Sequence, residues 1–165
     1  LKSKLVKEND KPICGITWKG GSIKNQVVRR KDIPINELGV VLKSLDYKYI
    51  CLQYGPTDSE LQSLKTNFGV EVECCLEIDN FSNLDGLAAL VSTCDCIISV
   101  DNLTVHLAGA LGIKTNVLLP FSADWRWGQG TKKSYWHSSL SLFRQQEILG
   151  WSEPLKELQS HLNFV

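Results

Sequence analysis

Two short segments of the sequence combine residue types that bind oxygen-rich anions. One is Lys19-Gly20-Gly21, where a glycine pair lets backbone N–H groups approach a ligand that a Cβ atom would keep away, and the lysine adds a positive charge. The other runs from Asp101 to His106, where an apolar run passes into a helical pattern whose first turn has unpaired N–H groups. Together the two segments predict a site for a diphosphate.

The individual side chains of the second segment have distinct expected roles. Asn102 is the predicted N-cap, Thr104 lies just inside the helix, and His106 lies about one turn from the cap. In the alternative interpretation, Asn102 is only a cap, His106 is an ordinary helix-face histidine, and the glycine segment is a tight turn with solvated charges. Binding is favoured because both segments follow strand-like runs, and ligands of open α/β sheets bind at the carboxyl ends of strands.

Further residues belong to the same predicted edge of the sheet. Gln53 follows the second strand-like run, and Arg29 and Arg30 could add a guanidinium clamp. The residues predicted to contact the ligand are Lys19, Gly20, Gly21, Gln53, Asp101, Asn102, Thr104 and His106.

Several other function classes lose support. The sequence has no GxGxxG fingerprint, no Walker phosphate loop, no HExxH pair and no nucleophile elbow. Eighteen Lys and Arg residues balance eighteen Asp and Glu residues, so no long-range field attracts nucleic acid or an anionic membrane. We expect a cytoplasmic protein without a membrane span, because the apolar runs are far shorter than a bilayer requires.

The elements that position these residues alternate between strand and helix patterns, which predicts an α/β domain with a mostly parallel sheet. The predicted strands are Ile13–Trp18, Tyr49–Gln53, Val70–Cys74, Cys96–Val100, Thr115–Leu119 and Leu140–Phe143. Helical stripes lie between them, with Asn36 and either Thr57 or Asp58 as expected N-caps and Gly69 as a stop. A last helix is expected from about Glu153 to Leu162.

Cysteine and tryptophan usage leaves fewer chemical options. None of the six cysteines forms a CxxC pair, so we predict no metal site and expect Cys14, Cys51, Cys94 and Cys96 to be buried as small apolar side chains. Four of the five tryptophans fall in the last third of the chain, partly within a long segment, 123–139, that lacks periodicity. These rings either anchor that segment or stack on a base or sugar ring.

The chain also has the composition of one domain of a longer protein. It has 165 residues, of which 43% are apolar, enough for one core. It contains no methionine, even at position 1, so we expect a fragment in which residues 1–11 are a linker or the tail of a preceding element and 12–165 form the domain.

Five segments together resemble a known family. They are ICGITWKGG from Ile13, CLQYG from Cys51, IISVDNLTVHLAGALG from Ile97, LLPFSADWRW from Leu118 and LFRQ from Leu142. In this order they are similar to the glycosyltransferase-type domain of bacterial tetratricopeptide-repeat (TPR) proteins, which is related to the carboxyl half of heptosyltransferases. The resemblance covers nearly the whole chain after Pro12.

The resemblance implies a GT-B fold, in which two Rossmann-like halves face each other and the carboxyl half holds a nucleotide-sugar donor, UDP- or ADP-linked. The chain would be that half, with the Lys19 loop and the Asp101–Thr104 turn facing the diphosphate and His106 near the phosphate or ribose. The partners implied are the amino-terminal half, which carries the catalytic base, and the TPR repeats. No metal or other cofactor is implied, and the isolated domain is expected to transfer nothing.

The chain departs from the family pattern at two places. Asn102 and Leu103 stand where heptosyltransferases have Thr and a small residue, and Gln53 is followed by Tyr54 rather than by a cation. An alternative function is therefore a non-catalytic protein-interaction module that retains the half-fold. A sugar-nucleotide epimerase half is less favoured, because Asp101 is the single obvious carboxylate for acid–base chemistry.

Overall fold

The computed structural model describes residues 11–20, 31–55 and 57–163. Within them, six strands alternate with five α-helices. The strands are β1 Ile13–Ile16, β2 Lys48–Cys51, β3 Val72–Glu73, β4 Cys96–Val100, β5 Thr115–Leu119 and β6 Leu140–Arg144. The helices are α1 Ile35–Ser44, α2 Asp58–Ser63, α3 Leu84–Val91, α4 Leu103–Ala110 and α5 Ser152–Asn163. A π-helical turn, Leu64–Phe68, continues α2, and a 3-10 turn spans Trp125–Trp127.

Local sequence signals set most of these boundaries. Strands β4 and β5 have the predicted bounds, and α2 with its π-helical turn ends at Gly69, whose φ of 68° is accessible to glycine at little cost. The predicted N-cap Asn36 is wrong, because α1 begins at Ile35, two residues earlier than that cap implies, and Pro34 occupies the cap position. Proline suits this place, since its fixed φ is helical and its missing N–H would have no intrahelical partner.

The sheet is parallel throughout, with strand order β3-β2-β1-β4-β5-β6. The chain builds outward from β1 to β3 and then returns to the other side of β1 for β4. This reversal leaves a crevice outside the carboxyl ends of β1 and β4, the usual ligand position in doubly wound folds. Gly15 pairs with Ile97 across this junction.

Helices cover both faces of the sheet and give a three-layer domain. On one face α1 and α5 pack against a core that includes Leu42, Trp151 and Leu158. On the other face α3 and α4 cover a second core around Leu90 and Ile97. Burying each large apolar side chain stabilises the fold by roughly 1.5–3 kcal/mol, so these layers dominate stability. The four cysteines expected to be buried, Cys14, Cys51, Cys94 and Cys96, are buried and reduced.

The two outer strands differ from the interior ones. Strand β3 has two residues, and its exposed Glu73 pairs with Lys48 on the neighbouring strand, with Nζ and Oε2 3.2 Å apart. Strand β6 is flanked by the loop before it, where Lys133 forms an antiparallel bridge with Ser141. Both edges of the sheet are therefore short, charged or covered.

Candidate functional site

The loop after β1 is held in place by a buried side chain from the neighbouring strand. The Gln53 Oε1 atom accepts hydrogen bonds from the backbone N–H groups of Trp18 and Lys19, each at 2.9 Å. Gln53 is 4% exposed, and its Nε2 atom donates to the Tyr54 carbonyl at 3.2 Å. Gln53 was predicted to contact the ligand, whereas its amide faces backbone groups and fixes the shape of the loop that contains Lys19.

The start of α4 is tied to that same loop by Asn102. Its Oδ1 atom accepts a hydrogen bond from the Thr104 N–H at 3.0 Å. This bond confirms the prediction that Asn102 is the N-cap of α4. Its Nδ2 atom donates to Thr17 Oγ1 at 2.9 Å and to the Lys19 carbonyl at 3.3 Å. One side chain therefore starts the helix and fixes the β1 loop relative to it. Thr17 and Ser99 extend this buried polar network through a 2.6 Å contact between their hydroxyl oxygens.

Gly20 lies against the backbone of the second segment. A Cβ atom on Gly20 would lie 2.8 Å from the backbone oxygen of Asp101, closer than real Cβ contacts occur. The Gly20 N–H already donates to Asp32 Oδ1 at 3.0 Å, so this donor is used inside the protein. The structure therefore brings Lys19, Gly20, Asp101, Asn102 and Thr104 together, while Gly21, with Arg29 and Arg30, lies outside the described residues.

Cations at this junction are paired with carboxylates. The Lys19 Nζ atom lies 2.5 Å from Glu60 Oε2 and also 5.9 Å from the centre of the Trp18 ring. The Lys31 ammonium pairs with the carboxylate of Asp101, whose side chain is 8% exposed. Lys31 was not predicted, because its partner Asp101 is 70 positions away and the run of basic residues around it carries no motif.

His106 lies on α4 with one face against an indole. Its ring is stacked on Trp127, with centroids 5.3 Å apart and an interplanar angle of 20°, and its centroid lies 6.4 Å from that of His137. Burial lowers the pKa of His106, while the Asp101 carboxylate acts in the opposite direction. The imidazole is therefore neutral near pH 7 and can donate or accept a hydrogen bond.

A cleft of about 750 Å³ opens at this edge of the sheet. Two of its walls are aromatic: Tyr54 and Phe81 form a ring pair on the β2 side, and Trp125 and Trp136 form another on the β5 side. Its remaining lining residues are Lys31, Asn80, Leu87, Asp101, Asn102, Leu103, Thr104, His106, Arg126 and His137. Of the predicted contact residues, four line the cleft: Asp101, Asn102, Thr104 and His106.

Two of the four late tryptophans are buried and two are exposed at the cleft. Trp127 and Trp151 are buried in the cores, and the Trp151 Nε1 atom donates to the Asp32 carbonyl at 2.9 Å. Trp125 and Trp136 are exposed at the cleft. Periodicity could not have separated Trp127 from Trp125 and Trp136, because all three lie in the segment 123–139, which has neither a strand nor a helix period.

Similarity to a curated protein covers almost the whole chain. The chain is 30% identical over 162 residues to Protein FlbA of Caulobacter vibrioides. The match includes 98% of this chain but only 26% of that protein, so the chain spans about a quarter of its relative. No family model matches the sequence.

Similarity to solved structures shows the fold. E. coli heptosyltransferase WaaC with ADP superposes with a TM-score of 0.67 at 14% identity, over 99% of this chain and 47% of that one. E. coli ADP-heptose lps heptosyltransferase II gives 0.67 at 16% identity, over 98% and 50%. The glycosyl transferase family 9 structure from Veillonella parvula gives 0.58 at 19% identity, over 87% and 37%.

These structures confirm the predicted fold class, a Rossmann-like α/β domain with a parallel sheet that corresponds to half of a GT-B fold. The chain matches about half the length of each E. coli heptosyltransferase. Within residues 11–20, 31–55 and 57–163, the helices are too short to cross a bilayer as apolar spans.

Proposed function

We propose that this chain is the donor-binding half of a glycosyltransferase and holds the diphosphate of a nucleotide sugar at the carboxyl ends of β1 and β4. The observation that carries the proposal is the junction of the β1 loop with the start of α4, joined by Asn102 and by the contact between Gly20 and Asp101. The cleft beside this junction has the volume of a small-molecule site. The fold supports the same assignment, since one of the structures it resembles was solved with ADP.

The charges around the junction suit a diphosphate. The amino-terminal end of α4 presents the positive end of the helix dipole to the cleft. Lys31 lines the cleft with its ammonium group partly exposed, and the Asp101 carboxylate holds that group beside the helix start. A bound diphosphate would share Lys31 with Asp101, while neutral His106 offers a hydrogen bond to a phosphate or ribose oxygen. Gln53 acts indirectly, by positioning the Lys19 loop.

The chemistry expected of this half is positioning and charge stabilisation. As the sugar leaves, negative charge grows on the nucleotide diphosphate, and the positive end of the α4 dipole and the Lys31 ammonium stabilise it without reorganisation. The acceptor's proton would be taken by a base on the amino-terminal half of the parent protein. We therefore expect the isolated chain to bind a UDP- or ADP-linked donor weakly and to transfer nothing, and TPR repeats in the parent remain a prediction.

Titration of the chain with UDP, ADP and GDP tests this proposal. Backbone amide shifts are followed up to millimolar nucleotide, and we expect saturable shifts at Gly20 and Thr104 with at least one of the three. Lys31→Ala should weaken that binding about tenfold, because a charge-assisted hydrogen bond is lost. Lys132→Ala is the matched control, since Lys132 also pairs with a carboxylate, that of Glu157, but does not line the cleft. Unchanged spectra with all three nucleotides would contradict donor binding.

A second candidate is a non-catalytic interaction module that retains the half-fold. The observation that favours it is the pairing of the cations at this edge, Lys19 with Glu60, Lys31 with Asp101 and Arg126 with Asp124, which leaves little net positive charge. The same titration separates the two, because a module that has lost the donor site gives no saturable shifts in the cleft. Binding that is lost in Lys31→Ala and kept in Lys132→Ala would exclude this candidate.

A further inference from the structure

Two tryptophans form an exposed aromatic surface along one wall of the cleft, here called the tryptophan shelf and defined as Trp125 and Trp136. Their rings meet edge to face, with centroids 6.2 Å apart and an interplanar angle of 77°. Trp125 is 74% exposed and Trp136 is 60% exposed. Indoles usually contribute stability through buried area, so two adjacent exposed ones at a cleft need a different explanation.

The shelf is held in a fixed arrangement. The Trp136 Nε1 atom donates to the Arg126 carbonyl at 3.0 Å, and the Arg126 guanidinium lies 5.3 Å from the centre of the Trp125 ring. Arg126 is itself anchored by Asp124, whose Oδ1 atom lies 2.6 Å from Nη1 and accepts the Arg126 backbone N–H at 3.1 Å. Both rings are therefore ordered before any ligand arrives, which lowers the entropic cost of binding.

The chemistry of the shelf differs from that of the opposite wall. Three side chains beside the shelf supply both hydrogen-bond donors and acceptors: Arg126, His106 and His137. The opposite wall combines the ring pair Tyr54 and Phe81 with Leu87 and one polar side chain, Asn80. The Asn80 Nδ2 atom donates to the carbonyls of the β2 end, and its buried Oδ1 atom has no partner among the described residues. A sugar ring has a face of weakly positive C–H groups, which suits the negative face of an indole, and a rim of hydroxyls that need polar partners. A planar base needs mainly flat apolar surfaces.

We propose that the tryptophan shelf binds the sugar ring of the nucleotide-sugar donor, while the base lies against the Tyr54 wall. The inference rests on the proposed function, because it takes the diphosphate to lie between the two walls at the start of α4. A donor consists of a base, a ribose, a diphosphate and a sugar in that order, so a diphosphate between the walls directs the base and the sugar toward opposite walls. Sugar hydroxyls would then meet Arg126 and His137.

The test compares the effect of shelf substitutions on nucleotides with and without a sugar. Dissociation constants are measured by calorimetry for UDP, ADP and GDP and for UDP-N-acetylglucosamine, ADP-glucose and GDP-mannose. Trp125→Ala and Trp136→Ala should weaken the sugar nucleotides by roughly tenfold and the plain diphosphates by less than about twofold, since one aromatic contact is lost. Trp125→Phe should recover most of the affinity. Phe121→Ala is the control, because Phe121 is exposed on the same loop but does not line the cleft.

The possible results distinguish a failure of the shelf as the sugar site from a failure of donor binding. Equal weakening of diphosphates and sugar nucleotides, or no weakening of either, would overturn the shelf as the sugar site while leaving donor binding intact. Equal weakening would also place the base on the shelf, because the plain diphosphates and the sugar nucleotides carry the same bases. If the unsubstituted chain binds none of the six compounds, the proposed function is overturned, and the shelf assignment with it.

Discussion

The middle of the central strands and their carboxyl ends lie a few residues apart, yet different interactions hold them. In the middle, Cys14, Ile16 and Ile98 are buried in the core on one face and Ile97 in the core on the other, and their packing is non-directional. At the ends, Thr17 and Asn102 form hydrogen bonds whose distances and angles are specific. Stability therefore depends mainly on the first region and the proposed ligand geometry on the second, so that substitutions should separate the two.

The largest effect is expected in the middle, from Gly15→Val. A Cβ atom at Gly15 would lie 2.4 Å from Leu52 Cδ1 and 2.9 Å from Cys94 Sγ, so the two branches of valine cannot fit without moving the sheet or its neighbours. We expect the free energy of unfolding in urea to fall by about 3 kcal/mol or more. Val40→Ala, on the exposed side of α1, should change it by less than about 0.5 kcal/mol. A stable Gly15→Val protein would show that the interior is looser than described.

At the carboxyl ends, Asn102→Asp should weaken binding far more than stability. The carboxylate keeps the acceptor for the Thr104 N–H but cannot donate to Thr17 or to the Lys19 carbonyl, and it repels a diphosphate. We expect nucleotide affinity to fall about tenfold or more in calorimetric titration. The control is Asn83→Asp, which alters the N-cap of α3 in the same way but outside the cleft. Equal losses of nucleotide affinity in Asn102→Asp and Asn83→Asp would show that the carboxyl ends of the strands have no special role in binding.

A smaller effect is expected from Cys94→Ala. Its buried thiol fills space between α3 and the sheet and donates a weak hydrogen bond to the Leu90 carbonyl, with Sγ and O 3.5 Å apart. Removing the sulfur should lower the free energy of unfolding by about 1 kcal/mol and leave nucleotide affinity unchanged. Cys74→Ala, at an exposed position, should leave both unchanged. An affinity loss in Cys94→Ala would mean that the middle of the sheet also shapes the site.

The smallest predicted effect is a pH dependence from His106. Burial lowers the pKa of His106 in the folded protein below its ordinary value of 6.5, so the unfolded chain binds a proton more readily. The contribution of neutral His106 to the free energy of unfolding is therefore complete above pH 6.5 and is lost as the pH falls toward the pKa of the folded state. We expect a small decline in the free energy of unfolding between pH 7 and pH 5, reduced in His106→Phe, which keeps the stacking on Trp127. An identical decline in both proteins would assign the proton uptake to other groups.

The sequence predicted the parts of the molecule that local patterns determine. The alternation of runs led to the parallel α/β class, β4 and β5 were placed with the observed bounds, and Asn102 was identified as the cap of α4. These features depend on neighbouring residues, through burial on both faces of a strand or through a side chain that meets an N–H two positions away.

What the sequence could not predict depends on contacts between distant residues. The pairing of Lys31 with Asp101 joins two loops. The Gln53 amide oxygen accepts from the Trp18 and Lys19 N–H groups, and Gln53 does not line the cleft. The positions of Trp125 and Trp136 follow from packing of a loop without periodicity. Such contacts are set by tertiary geometry, which no local pattern encodes.

The two outer strands have a consequence for association with other molecules. An unpaired strand edge can template pairing with another chain, but β3 is only two residues long with a charged pair beside it, and β6 is bridged by Lys133. Lateral growth of the sheet, and with it aggregation through its margins, is therefore disfavoured.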